Sequence, residues 1–263
     1  MKFWTVDAFT SEPFKGNPAA VFVIPAFPSV ELMQKIAAEM NLSETVFVVA
    51  KSNMHHEVRW FTPFTEVELC GHATMAAAHV LWKQLGLEGD AVYFDSYSGV
   101  LMAERSSQGI TLNLPAYSHE PMPVPDGLAE ALDVFPVCVS KAYDDCLVEL
   151  HSIDEVLNLK PDIARLQQID CRGIIVTADG DDDSPYDFVS RFFAPKVGVS
   201  EDPVTGSAHC KLAPYWSERL GKNEFTAYQA SQRGGTLLVR YEHGRVYLTG
   251  QAVTVFEGTF LNF

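Results

Sequence analysis

The sequence predicts an α+β fold of two duplicated domains, each an antiparallel sheet wrapped around a central helix. Three observations carry this expectation. The 263-residue chain contains Arg59-Trp60-Phe61-Thr62-Pro63 and, far downstream, Arg191-Phe192-Phe193-Ala194-Pro195. Each copy leads through a short polar loop into Gly-x-Ala and a helical run, at Gly71-His72-Ala73 and Gly206-Ser207-Ala208. The first run carries Ala73, Met75, Ala76, Ala77, Ala78, Val80, Leu81 and Trp82, so it is apolar nearly all round. A helix of that kind is buried on every side, and a curled antiparallel sheet is its simplest enclosure. Two widely spaced copies indicate duplicated domains rather than a solenoid.

The elements follow in order. Residues 3–9 alternate like a half-buried strand, a Pro/Gly cluster at 13–18 makes a turn, and residues 19–24 form a second strand. Ser29 caps a helix with Leu32, Ile36 and Met40 on one face. Glu44 opens the next strand, and residues 56–61 form another. The central helix runs over 71–85 and stops near Gly86. Strands near 91–95, 99–104 and 110–114 complete the first domain, residues 1–115. Pro115, Pro121, Pro123 and Pro125 mark the linker. The second domain, 116–263, has strands near 144–151, 173–177 and 186–193. Its helix starts near Thr205 or Gly206, stops near Gly221, and should kink or break at Pro214. A closing meander spans 235–241, 246–248 and 253–256, and the pattern leaves open which domain the last strand joins.

Composition excludes several classes. A net charge of −15 argues against nucleic acid or an anionic membrane as partner. No apolar run reaches the roughly 20 residues of a membrane span, and the first residues lack the apolar core of a signal peptide. Five cysteines, odd in number and not closely paired, suit a reducing cytosol, so a cytoplasmic protein is expected. No dinucleotide or phosphate fingerprint is present, and no cofactor or metal is expected. Cys70, His72, His209 and Cys210 match no paired zinc-ligand spacing. Asp181-Asp182-Asp183 reads as a solvated loop.

Four blocks, in order, carry a resemblance: Gly16-Asn17-Pro18-Ala19-Ala20-Val21, Asn41-Leu42-Ser43-Glu44-Thr45, residues 59–73, and Glu201-Asp202-Pro203-Val204-Thr205-Gly206-Ser207-Ala208-His209. Over essentially its whole length the chain resembles the PhzF family of phenazine-biosynthesis-like isomerases, which has the diaminopimelate epimerase-like fold. The resemblance implies a site between the two domains. Glu44, His72 and Asp202 match the family's catalytic glutamate, histidine and aspartate. Gly71, His72, Gly206 and Ser207 match the groups that hold the substrate.

That chemistry moves a proton between carbons. It needs a base at the carbon and a place for the developing charge. One carboxylate, Glu44, can take the proton and return it on the same face, and helix N-termini favour an anionic substrate group. The expected partner is a small carboxylate, and a homodimer is compatible with this reading. Two alternatives belong to other classes. A non-catalytic binding protein could retain the fold, or an amino-acid racemase could use Cys70. Counting without gaps from Arg59 and Arg191 sets Cys70 opposite Asp202, a thiol against a carboxylate, which disfavours a symmetrical two-thiol racemase. Arg59 and Arg191 are read as pins for the loops before the helices.

Overall fold

The computed structural model describes residues 1–181 and 183–261 and divides into two compact units. The first unit is Met1–Leu114 together with the segment that begins at Leu248. Its elements are β1 (Lys2–Ala8), β2 (Asn17–Ile24), α1 (Val30–Met40), β3 (Glu44–Ala50), β4 (His55–Phe61), β5 (Glu66–Val67), α2 (Gly71–Lys83), β6 (Ala91–Ser96), β7 (Gly99–Ser106) and β8 (Gly109–Pro115). Register pairs β1 with β2, β3 with β4, β6 with β7 and β7 with β8 in antiparallel fashion. β2 and β3 are parallel, as are β4 and β6. A parallel pair cannot be joined by a hairpin and needs a crossover. α1 and α2 are those crossovers, so the sheet is mixed where an antiparallel one was expected.

Both faces of the sheet are covered. Ala20, Phe22, Ile24, Phe47 and Val49 pack against Met33, Ile36 and Ala37 of α1. Phe22 stacks on Phe47 at 5.1 Å, and Phe47 meets Phe61 edge-on at 5.7 Å. Each such ring contributes about 1.5–3 kcal/mol on burial. The intervening residues point to the other face, where α2 packs on β1, β2 and β3. Every residue of α2 from His72 to Trp82 is buried, as its apolar circumference requires. Ser29 caps α1 by accepting from the Leu32 N–H at 3.2 Å. The buried face of α1 is Met33, Ile36 and Ala37, with Leu32 and Met40 only partly buried. It is thus rotated from the expected Leu32–Ile36–Met40 stripe. Past the end of α2, Gly86 takes φ 71°, and the Leu87 N–H returns to the Leu81 carbonyl at 2.9 Å.

The second unit, Pro115–Tyr247, repeats this plan. It holds β9 (His119–Pro121), α3 (Leu128–Leu132), β10 (Cys138–Ala142), β11 (Asp145–Glu149), α4 (Ile153–Asn158), α5 (Ile163–Leu166), β12 (Ile174–Asp179), β13 (Phe188–Ala194), β14 (Val199–Asp202), α6 (Gly206–Leu220), β15 (Glu224–Gln229) and β16 (Gly235–Glu242). The unit boundary falls within β17 (Arg245–Gly250), and β18 (Ala252–Thr259) follows. β11 and β12 are parallel, as are β13 and β15, with α4–α5 and α6 as the crossovers. β10–β11, β12–β13 and β15–β16 are antiparallel. Step by step this matches β1–β2–β3–β4–β6–β7.

Two expectations are corrected. The domain assigned to 116–263 loses its last segment, because β18 pairs with β1 over Lys2–Ala8 and belongs to the first unit. Pro214 does not end α6, which runs unbroken to Leu220. Proline deprives the carbonyl four residues back of its donor. Here that carbonyl, on Cys210, accepts from the Tyr117 N–H at 3.0 Å instead. Asp181 and Asp183 are exposed, and Asp182 lies outside the described residues.

The duplicated arginines do the same work. Arg59 makes a bidentate pair with Glu66 at 2.7 and 2.6 Å, and Arg191 does so with Glu201 at 2.7 and 3.0 Å. Each glutamate sits on the short strand before its central helix, so both loops are pinned as read from the sequence.

Candidate active site

In the first unit, three elements begin at one point. β2 starts with Asn17, β3 with Glu44, and α2 places His72 in its first turn. The parallel register Ala19↔Glu44 sets Glu44 beside β2 two residues after Asn17. His72 is 4 % exposed. Its Nε2 stands 3.0 Å from Oε2 of Glu44, while Nδ1 lies 3.1 Å from Nδ2 of Asn17 and 3.6 Å from Sγ of Cys70. The Glu44–His72 separation suits an ion pair. Glu44 Oε2 and His72 Nε2 are both shielded from solvent and have no hydrogen-bond partner among the described residues.

Burial disfavours charge on His72, but the Glu44 carboxylate at 3.0 Å favours it. The imidazole is held well above its ordinary pKa. Burial and the Glu44 carboxylate push the Cys70 thiol up, so it is not a ready thiolate. The donor atoms of Glu44, Cys70 and His72 lie within 4.8 Å of one another, a spacing a metal could use. However, the imidazole offers Nε2 to the glutamate and Nδ1 to the cysteine. One ion would need both neighbours on one nitrogen.

In the second unit, Asp202 ends β14 and its Oδ2 accepts from the Thr205 hydroxyl at 2.5 Å. Gln229, fully buried, fastens this loop. Its Oε1 accepts from the Thr205 N–H at 2.8 Å, and its Nε2 donates to the Asp202 carbonyl at 2.8 Å. Ser207 lies in the first turn of α6, and its Oγ is 3.4 Å from Nη2 of Arg172. Arg172 in turn grips Asp145, with Nε at 2.9 Å and Nη2 at 2.5 Å. Burial opposes its charge, but Asp145 and then Asp144 raise its pKa.

The structure thus joins Glu44 to His72, and sets Asp202 and Ser207 beside the start of α6. Gly71 and Gly206 are the first residues of their helices. One count is corrected. Cys70 is the N-cap of α2 and Thr205 the N-cap of α6, so Thr205 is the counterpart of Cys70 at the helix starts. The loop before α6 is longer, and Asp202 reaches the cap through the Thr205 hydroxyl. Sequence reasoning missed Asn17 as a partner of His72, although it stands in a quoted motif. It also missed Arg172, Asp144, Asp145 and Lys211. No local pattern joins those residues, since the pairs span 27 to 67 positions.

Comparison with known proteins agrees with this architecture. The family model described as phenazine biosynthesis-like protein matches residues 6–258. The chain is 48 % identical over 260 residues to a Halalkalibacterium halodurans protein named an uncharacterized isomerase, covering 98 % of this chain and 97 % of the relative. It is 41 % identical over 284 residues to the human phenazine biosynthesis-like domain-containing protein, with 98 % of each covered. A crystal structure of a PhzF family protein from Enterococcus faecalis superposes with a TM-score of 0.94 at 39 % identity, covering 99 % of both chains. A probable proline racemase from Agrobacterium radiobacter shares the fold at a TM-score of 0.67 and 10 % identity, over 99 % of this chain and 92 % of its own. The duplicated mixed sheets, the buried central helices and this match over nearly the whole length place the chain in the phenazine biosynthesis-like protein family, PhzF.

Proposed function

We propose that the protein is a cofactor-independent isomerase. It shifts a proton on a small unsaturated or cyclic carboxylate, with Glu44 as the single acid/base. Family membership and the isomerase names of its relatives support the reaction class. The observation that carries the mechanism is Glu44 Oε2, buried, without a hydrogen-bond partner and 3.0 Å from a buried imidazole. A scaffold would gain little from such an arrangement, because a buried, poorly bonded ion pair costs stability. That weighs against the non-catalytic alternative.

In the proposed reaction the Glu44 carboxylate takes a proton from carbon and becomes a neutral acid. Charged His72 offsets the negative charge that develops on the substrate. The acid then returns the proton to a second carbon on the same face, so no net charge or electron is exchanged. Gly71 and His72 at the start of α2, and Asp202, Gly206 and Ser207 at the start of α6, are the proposed substrate-holding groups of their units. Five free thiols support a reducing, cytoplasmic setting. A homodimer is compatible with this.

A racemase reading keeps one observation in its favour, the Cys70 sulfur at the other imidazole nitrogen. The raised thiol pKa weighs against it. The test is a panel of small unsaturated carboxylates in deuterated water. Migration of a C–H signal in the wild type, lost in Glu44→Gln, supports the proposal. Migration that survives Glu44→Gln refutes it.

A further inference from the structure

The duplication allows the two units to be compared position by position. Phe61 and Phe193 are counterparts in the repeated segments. Phe61 pairs with Thr45 and Phe193 with Ile174. Glu44 therefore corresponds to Gly173, and Arg172 lies one residue earlier. The helices begin at Gly71 and Gly206, so His72 corresponds to Ser207. At this helix position the first unit meets a carboxylate, Glu44, whereas the second meets a guanidinium, Arg172. No side chain can return at 173. A Cβ there would lie 2.4 Å from Cζ of Phe192 and 3.1 Å from Oδ1 of Asp145.

One edge of the guanidinium is committed. Nε lies 2.9 Å from Asp145 and 2.8 Å from Asp144, and Nη2 lies 2.5 Å from Asp145. Nη1 makes no hydrogen bond among the described residues, and the side chain stays 32 % exposed. Two carboxylates would ordinarily consume one guanidinium. Lys211, 1 % exposed on α6, balances them by donating to Asp144 at 2.5 Å and to Asp145. Tyr117 and Tyr143 flank its ammonium, each ring centre at 5.9 Å. The cluster pairs two cations with two anions, while the Asp202 carboxylate acts on Arg172 from further away. A guanidinium fixed along one edge presents its remaining N–H groups at low entropic cost, and carboxylates are its preferred planar partner.

We propose that Arg172 is a specificity-determining residue that holds the substrate carboxylate, with Nη1 and the Ser207 hydroxyl as donors and Lys211 as its positioning residue. The proposal rests on the isomerase reading only in calling the bound carboxylate a substrate.

The test uses protein labelled with 15N-arginine, titrated with cyclohex-1-ene-1-carboxylate and with its carboxamide. The carboxylate should shift the Arg172 side-chain signals, and the carboxamide should not. Signals are assigned by their loss in Arg172→Lys or, if that variant does not fold, through the backbone of the wild type. Carboxylate affinity should fall about tenfold or more in Arg172→Lys, which keeps the charge but loses the planar fork. Lys211→Met should weaken binding as well. Glu44→Gln should bind like the wild type even as it loses turnover, so failure of the anchor and failure of the acid/base reading are distinguishable. Arg172 signals that stay still at saturating solubility of the carboxylate overturn the proposal, as does equal affinity in Arg172→Lys. An equal response to inorganic phosphate would mark an unselective anion site and overturn the carboxylate assignment.

Discussion

Glu44 and Gly173 occupy the same position in two copies of one supersecondary unit. Each precedes the strand residue paired with the repeated phenylalanine, Phe61 or Phe193. The first copy places a carboxylate against an imidazole there. In the second, the space is filled by the Phe192 ring and the Asp145 carboxylate. The proposed proton chemistry therefore falls to one copy only.

Gly173→Ala should destabilise the protein by about 1–3 kcal/mol, the usual cost of overpacking. The Phe192 ring is stiff and cannot yield 1 Å without moving β13. Chemical denaturation measures this, and a change below about 0.5 kcal/mol would mean that the site has more room than the 2.4 Å contact implies.

Glu44→Gln keeps size and polarity but removes the proposed base. Turnover should fall by about a hundredfold or more, the lower range for losing an acid/base group. Cys70→Ser should cost far less, because burial keeps the thiol protonated. Equal losses in the two variants would put Cys70 into the proton chemistry and end the single-base account.

The His72 imidazole should titrate above 6.5, its unfolded value, as followed by its ring NMR signals. Its contribution to stability is complete below pH 6.5 and fades as pH rises through the folded pKa. Glu44→Gln removes the carboxylate at 3.0 Å and should lower the midpoint. A midpoint that does not move in that variant would show that Glu44 is not what holds the proton.

Burial pushes His209 down to about 4, and burial with nearby Lys83 does the same to His79. Both bind protons more readily when unfolded. Stability should therefore fall as pH drops from about 6.5 toward 4, by about 1.4 kcal/mol per pH unit for each histidine. His209→Gln should reduce that slope by about one histidine's share, and an unchanged slope would contradict its burial as a neutral ring.

Gln229→Leu should cost about 1–3 kcal/mol, because it strips the buried Thr205 N–H of its acceptor. It should also loosen the loop that carries Asp202, seen as faster amide exchange over residues 202–205. Unaltered exchange there would show that other contacts hold the loop.

The sequence by itself determined the duplication, the buried central helices, the arginine pins and Glu44 at a strand start. These are local matters of periodicity, motif and spacing, and local pattern records them directly. Only the tertiary structure decided what depends on distant partners. Tyr117 rescues the carbonyl that Pro214 orphans, and so keeps α6 whole. β18 returns to β1 from the far end of the chain, which no turn signal announces. Thr205, not Asp202, proves to be the helix-cap counterpart of Cys70, because the longer loop shifts the count. Arg172 meets Ser207 while Asp145, from a distant strand, holds its guanidinium and Lys211, from a distant helix, balances that carboxylate. Such pairings are chosen by how strands and helices pack, and the chain's own order carries no trace of them.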